Sequence, residues 1–271
     1  MTSRIADVFV RLRADHRTGL VTYVTGGDPD AARSAEILRG LDRAGADVLE
    51  VGVPFSDPLA DGPVIQRASE RALAAGGNLS GTLDLIAQVR ADVQAAVVVF
   101  TYANPIFKMG TDAFAARAAA AGVDGVLVLD LPIEEAGPFR QTVVDAGIDP
   151  IFLLSPTTTD ARIRAAAKLG RGFLYAISRL GVTGARAEVA SGARALVERI
   201  RAVTALPVAV GFGLSRPEHV RQVGEWADAA VVGSALVDVI AREADSPDLV
   251  TTVERYVAGL KRGAQGGASV T

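Results

Sequence analysis

Short β-branched runs alternate with amphipathic stretches, Ala-Gly junctions recur just ahead of an Asp, and small-residue loops follow the later runs; together these predict an α/β protein folded as a closed (β/α)8 TIM barrel. The runs at 20–25, 48–53, 96–101, 125–130, 150–154, 173–178, 207–211 and 229–233 read as strands. Between them, 31–43, 82–95, 112–121, 133–146, 160–169, 191–204 and 217–223 carry helical patterns. Strands separated by such helices imply right-handed crossovers and a parallel sheet. Eight units in 271 residues suit a closed barrel better than an open sheet. The junctions Ala44-Gly45-Ala46-Asp47, Ala121-Gly122-Val123-Asp124 and Ala146-Gly147-Ile148-Asp149 place glycine where a helix stops and the chain turns into the next strand. One extra helix, 5–14, precedes the first strand, and another, 249–261, closes the chain. The expectation is one barrel domain over 1–262, with 263–271 a disordered tail.

Composition narrows the function. With 49% hydrophobic and 22% charged residues the chain reads as soluble and globular, and a net charge of −3 without a basic block argues against nucleic acid or an anionic membrane as partner. No apolar run reaches the roughly 18 residues of a membrane span and the N-terminus is no signal peptide, so a cytoplasmic location is expected. The absence of cysteine excludes disulfides, thiolate nucleophiles and thiolate-bound metals.

Glu50 interrupts the apolar run Val48-Leu49-Glu50-Val51-Gly52-Val53, and Asp61 follows across a turn-rich segment, Pro54-Phe55-Ser56-Asp57-Pro58-Leu59-Ala60. A carboxylate in a buried parallel strand is costly unless it is paired or used for chemistry. One acid at a strand's C-terminal end and another on the loop it feeds is where an α/β barrel keeps an acid–base pair. The competing reading is a structurally neutralised Glu50 and an Asp61 that caps the next helix.

A phosphate cradle is expected on three loops: the later strands lead into Gly181-Val182-Thr183-Gly184, Gly211-Phe212-Gly213 and Gly233-Ser234-Ala235. Backbone amides at helix starts suit a phosphate without any lysine. The 181–186 loop is long enough to close over a ligand. Of the only lysines, Lys168 falls on the fifth helix, Lys261 on the last and Lys108 in the segment after Asn104-Pro105, which disfavours a Schiff base. His16 and His219 fall away from the strand ends, which disfavours a histidine-held metal; a Mg²⁺ held by carboxylates alone is the alternative, but Glu50 and Asp61 have no obvious third ligand nearby. Cofactor-free acid–base catalysis survives, with no metal site expected. Tyr23, Phe100, Tyr102, Leu127, Leu153 and Tyr175 lie on strands or just after them, near one face. In a chain with 5% aromatic residues they suggest a pocket for a flat apolar group, against ordinary barrel filling as the alternative.

The segment Glu50-Val51-Gly52-Val53-Pro54-Phe55-Ser56-Asp57-Pro58-Leu59-Ala60-Asp61-Gly62-Pro63 resembles the signature of the tryptophan synthase alpha chain family. So do Ser178-Arg179-Leu180-Gly181-Val182-Thr183-Gly184, Gly211-Phe212-Gly213 and Tyr102-Ala103-Asn104-Pro105. The resemblance runs from about the first helix to the last. It implies a lyase that cleaves indole-3-glycerol phosphate to indole and glyceraldehyde 3-phosphate, working with a beta chain in an α2β2 assembly. Pyridoxal phosphate would belong to that beta chain, and this chain would need no cofactor. By the resemblance, Asp61 takes the N1 proton as charge develops and Glu50 shuttles protons between C3 and the glycerol hydroxyl. Asp61 would stay ionised and Glu50 would have a raised pKa. Gly184, Gly213, Gly233 and Ser234 would bind phosphate, and Tyr23, Phe100, Leu127, Leu153 and Tyr175 would enclose indole. Thr183 would order a lid near Asp61, and Pro54 and Asp57 would meet the beta chain. Val64 stands where a threonine is common and Phe100 where an aliphatic residue is. A stand-alone lyase that releases free indole and a non-catalytic activator of the beta chain are the alternatives; the presence of Glu50, Asp61 and Thr183 speaks against the second.

Overall fold

The computed structural model describes residues 3–177, 186–211 and 213–264. Strands β1 (Gly19–Thr25), β2 (Val48–Gly52), β3 (Ala96–Thr101), β4 (Gly125–Val128), β5 (Asp149–Leu154), β6 (Leu174–Ile177), β7 (Val208–Gly211) and β8 (Ala229–Val232) pair in sequence order, and β8 returns to β1 to close a TIM barrel. Every pairing is parallel, so all eight C-terminal ends open on one face.

Around the barrel run α1 (Arg4–Ala14), α2 (Ala31–Arg43), α3 (Pro63–Ala74), α4 (Leu79–Val89), α5 (Ala103–Met109) and α6 (Thr111–Ala120), followed by α7 (Gly137–Asp145), α8 (Asp160–Leu169), α9 (Arg186–Arg201), α10 (Pro217–Gly224), α11 (Ser234–Arg242) and α12 (Leu249–Ala264). The junction glycines behave as expected: Gly45, Gly122 and Gly147 have φ of 92°, 80° and 82°, a region in which a Cβ is penalised.

Alternation along each strand divides the apolar residues into two cores. Leu20, Val24, Leu49, Val51, Val97 and Val99 face outward onto the helices. Val21, Val48, Val98, Ile151, Phe173 and Ala209 fill the interior. The extra N-terminal helix has a clear purpose. Ile5, Val8, Phe9 and Leu12, at i, i+3, i+4 and i+7, form one stripe that plugs the barrel floor, with Phe9 against Phe173 at 5.7 Å. Ser3 caps this helix by accepting from the Ala6 amide at 3.2 Å, and its hydroxyl donates to Asp149 at 2.5 Å, which anchors the plug to β5.

The floor also carries a set of carboxylate staples. Asp47, Asp124 and Asp228 each lie just ahead of an even-numbered strand and accept the amide of a residue at the start of the preceding one: Leu20 at 2.7 Å, Val97 at 2.8 Å and Val208 at 2.9 Å. Each also meets a cation. Lys261 of α12 pairs with Asp47, Arg4 and Arg90 flank Asp124 at 3.4 Å each, and Arg13 and Arg201 approach Asp228 at 3.2 and 3.4 Å. The Asp of each Ala-Gly-x-Asp junction is therefore more than a turn residue: Asp47 and Asp124 join neighbouring strands, and Asp149 holds the plug.

Some elements differ from the expectation. The fourth helix starts at Leu79 rather than 82 because Asn78 caps it, accepting from the Gly81 amide at 3.0 Å. It ends at Val89, and the Gln94 and Ala95 amides turn instead to Asp42. The seventh starts at Gly137, with Pro138 in its first turn, after a turn over the expected first residues. α9 spans Arg186–Arg201 rather than 191–204. Helices α3 and α5 were not anticipated as separate elements. The last helix includes Gly263 and Ala264, the first two residues of the expected tail; 265–271 lie outside the described residues.

Candidate active site

The strand register collects the candidate residues at one mouth. Tyr23 of β1 stands opposite Glu50 of β2, Gly52 opposite Phe100 of β3, Phe100 opposite Leu127 of β4, and Leu153 of β5 opposite Tyr175 of β6. All belong to the inward-facing set. Tyr23 and Phe100 meet edge to face at 5.2 Å and 75°, an arrangement aromatic rings favour. Two glycines make room for the tyrosines: a Cβ on Gly52 would run into the Tyr23 hydroxyl, and one on Gly211 into that of Tyr175. Glycine is needed there for close approach, not for a left-handed backbone.

Glu50 is 0% exposed, and neither carboxylate oxygen has a hydrogen-bond partner among the described residues. Burial alone pushes its pKa from 4.5 to about 8, so the group is a neutral acid at neutral pH. The structurally neutralised reading of Glu50 finds no partner to support it among the described residues.

Asp61 is half-buried and does not cap α3; the residue at the cap is Gly62, and Pro63 opens the helix. Its carboxylate accepts from the Tyr102 hydroxyl at 3.0 Å, and the same hydroxyl accepts from the Ala60 amide at 3.0 Å. Burial pushes the Asp61 pKa up and the Tyr102 hydrogen bond opposes that rise. The two tyrosines Tyr23 and Tyr175 are held neutral, chiefly by burial, with the nearby carboxylates adding to the effect.

The sequence reading missed α3. Its Val64, Ile65 and Ala68 form an apolar cluster with Tyr23, Phe100 and Val237, so a helix inserted after the acid loop leans over the pocket wall. The apolar positions 64, 65, 68 and 72, at helical spacing directly after Gly62-Pro63, were the available signal. A buried ion pair fixes this helix: the Arg71 guanidinium grips Asp28, on the loop after β1, by two bonds of 2.8 Å.

At the opposite side of the mouth Gly213 is exposed with φ 70°, and Gly233 precedes α11, whose N-terminus has no side-chain cap. Ser234, the first residue of that helix, is exposed. Thr183 and Gly184 lie outside the described residues, as do Gly181, Val182, Ala185 and Phe212; Arg186, the last residue of the expected closing loop, opens α9. In the loop after β2, Asp57 is exposed, whereas Pro54 is buried, against the position a Cβ on Gly77 would take. Leu59, 94% exposed, is the loop's prominent apolar surface. Lys261 is excluded from the site: it is 8% exposed and paired with Asp47 at the barrel floor. No cluster of metal-ligating side chains occurs among the described residues, and no helix there is long and apolar enough to cross a membrane.

Fold and mouth together define the class: a (β/α)8 barrel, an architecture whose enzymes work at the C-terminal ends of their strands. The sequence model of the tryptophan synthase alpha chain matches residues 9–265. The tryptophan synthase alpha chain of Burkholderia thailandensis is 48% identical over 98% of this chain and 98% of its own length. That of Geobacter sulfurreducens is 48% identical over 96% and 98%. Among solved structures, the alpha subunit of Legionella pneumophila str. Paris superposes with a TM-score of 0.90 at 35% identity, covering 97% of this chain and 99% of that one. Tryptophan synthase of Mycobacterium tuberculosis gives 0.89 at 37% identity, covering 98% and 99%. The chain belongs to the tryptophan synthase alpha chain family, and is accordingly an enzyme of tryptophan biosynthesis with lyase activity.

Proposed function

We propose that this chain cleaves indole-3-glycerol phosphate by acid–base retro-aldol chemistry, with Glu50 and Asp61 as its catalytic residues. The observation that carries the reading is Glu50, buried, without a hydrogen-bond partner among the described residues, and held as a neutral acid at the mouth of an aromatic-lined barrel. Cleaving the bond between indole C3 and the glycerol chain needs an electron sink, and protonation at C3 turns the indole ring into one. Glu50 gives its proton to C3, and Asp61 stabilises the positive charge that develops at N1–H by accepting that proton. The glycerol hydroxyl then returns a proton to the Glu50 carboxylate. As its carbonyl forms, the carbon–carbon pair flows into the ring and Asp61 returns its proton to N1, leaving indole and glyceraldehyde 3-phosphate. Both acids end as they began, Glu50 protonated and Asp61 ionised. Each role is of the size general acid–base groups supply, roughly 10²–10⁴ in rate.

The remaining assignments follow. Tyr23, Phe100, Leu127, Leu153 and Tyr175 enclose the indole ring, with Val64 and Ile65 of α3 closing one side. Gly213, Gly233 and Ser234, together with Gly184, bind the phosphate, which the uncapped start of α11 supports. Thr183 orders the lid over Asp61. A tryptophan synthase beta chain, carrying its own pyridoxal phosphate, docks at the loop of Pro54 and Asp57 in an α2β2 assembly in the cytoplasm. The exposed Asp57 and Leu59 form the contact, and the buried Pro54 holds the loop from beneath. The chain itself uses no cofactor and no metal, and its barrel forms one domain.

The test is indole release from indole-3-glycerol phosphate, with and without added beta chain, and its inhibition by glycerol 3-phosphate and by glycerol. Competitive inhibition by the phosphate alone, with acceleration by the beta chain, is the expected result. Equal weak inhibition by both compounds contradicts the phosphate site, and a rate indifferent to the beta chain favours a stand-alone lyase.

A further inference from the structure

We propose that Tyr102 is a positioning residue for Asp61: its phenol holds the carboxylate ionised and aimed into the pocket before substrate arrives. The proposal rests on the reading of Asp61 given above. Tyr102 follows β3 directly and forms the cap of α5. It is 5% exposed, and its ring lies against Phe55 at 5.0 Å. The backbone that carries it is fixed in turn, because Asp130, just past β4, accepts the Ala103 amide at 2.7 Å. Among the described residues the acid loop, by contrast, has only short-range backbone bonds of its own, Leu59 to Asp57 and Asp61 to Pro58, with Gln66 reaching back to the Asp61 carbonyl at 2.9 Å. Tyr102 links that loop to the barrel wall.

The direction of the hydrogen bonds is decisive. A phenol has one proton to give. The Tyr102 oxygen already receives the Ala60 N–H, and its own hydrogen has the Asp61 carboxylate as its acceptor. A protonated Asp61 could still accept the phenol hydrogen at its carbonyl oxygen, but a charged acceptor takes that bond about twice as strongly. The chain Ala60 N–H to Tyr102 O–H to Asp61 therefore favours the ionised carboxylate. Among the described residues no cation does this work. The titratable groups around Asp61 are Tyr102 and, from β1, Tyr23; Glu50 of β2 and Asp130 interact with those two tyrosines in turn. Burial favours a protonated Asp61, and Tyr102 supplies the opposing hydrogen bond. A purely structural Tyr102 would need only its ring.

Tyr102→Phe keeps the ring and the packing on Phe55 and removes the hydroxyl alone. In the full chain, turning over indole-3-glycerol phosphate, kcat should fall about ten-fold with KM changed less than about two-fold, the size of one charge-assisted hydrogen bond. The acid limb of the kcat profile should move to higher pH. Placing 3-fluorotyrosine at position 102, a stronger donor, should move that limb to lower pH, a response no packing role produces. Adding Tyr102→Phe to Asp61→Asn should cost nothing further, since the two groups act as one. Unchanged kcat and an unmoved acid limb in Tyr102→Phe, alongside an inactive Asp61→Asn, overturn the positioning role and leave the assignment of Asp61 intact. Near-normal turnover by Asp61→Asn overturns that assignment and the positioning role with it.

Discussion

The two ends of this barrel treat buried carboxylates in opposite ways. At the floor, Asp47, Asp124 and Asp228 each hold a strand amide within 2.7 to 2.9 Å and a lysine or arginine besides. At the mouth, Glu50 has no partner among the described residues, and Asp61 has one phenol. The same residue type thus serves cohesion at one end and reactivity at the other. What separates them is the company each keeps: amides and cations surround the floor acids, whereas burial acts on Glu50 with no opposing partner among the described residues. An unpaired buried acid lowers the stability of the fold, and proteins concentrate such costs where chemistry needs them.

The comparison can be broken most decisively by conservative substitution at the mouth. Glu50→Gln and Asp61→Asn should each lower indole formation by at least about 10², with circular dichroism unchanged, because each removes one acid–base group and little volume. Near-normal turnover by either variant would remove that residue from the mechanism.

The same Glu50→Gln should stabilise the protein, and the pH dependence carries the sign. Glu50 has a folded pKa near 8 against 4.5 for the free group, so between those values the folded state holds a proton that the unfolded chain releases. Stability from this group is complete below about pH 4.5 and is lost as pH rises toward 8. Relative to the parent, Glu50→Gln should gain on the order of a few kcal/mol at pH 8 and little at pH 4.5, read from denaturant unfolding at both values. A stability difference independent of pH would mean that Glu50 has a hidden partner.

At the floor the outcome should be reversed. Asp47→Asn keeps an acceptor for the Leu20 amide but strands the ammonium of Lys261, and should cost about 3 kcal/mol with kcat and KM unchanged. A kinetic defect without a stability loss would contradict the division between the two ends. The smallest effect concerns Thr22 on the outer face of β1, whose buried hydroxyl has no partner among the described residues. Thr22→Val should raise stability by about 1 kcal/mol, measured as a shift in unfolding midpoint; a loss would show that the hydroxyl is satisfied after all.

The elements that were legible in the sequence are those governed by local pattern. α2 and α8 have the expected bounds because capping residues, Asp30 and Thr159, mark their starts and the 3.6-residue period is unbroken. The strands fall where β-branched runs do, and Glu50 is conspicuous because a charge inside such a run is unusual. Long-range contacts were not legible. α5, with Pro105 in its first turn where proline is tolerated, is too short for a helical period to stand out. Tyr102 was visible as an aromatic near the mouth, but nothing local reveals that its hydroxyl reaches Asp61, 41 positions away. Likewise Lys261 looks like an ordinary last-turn lysine, and only the closure of the barrel brings Asp47 to it across 214 positions.

The central claim is that Glu50 is a neutral acid in the resting protein, and its titration tests that most directly. Carbon-13 labelling of glutamate side chains, with Glu50→Gln to assign the resonance, gives the protonation midpoint by nuclear magnetic resonance. A midpoint near 8 is the predicted result. A midpoint near 4.5 would show a charged Glu50 at neutral pH and would contradict its role as the proton donor to indole C3.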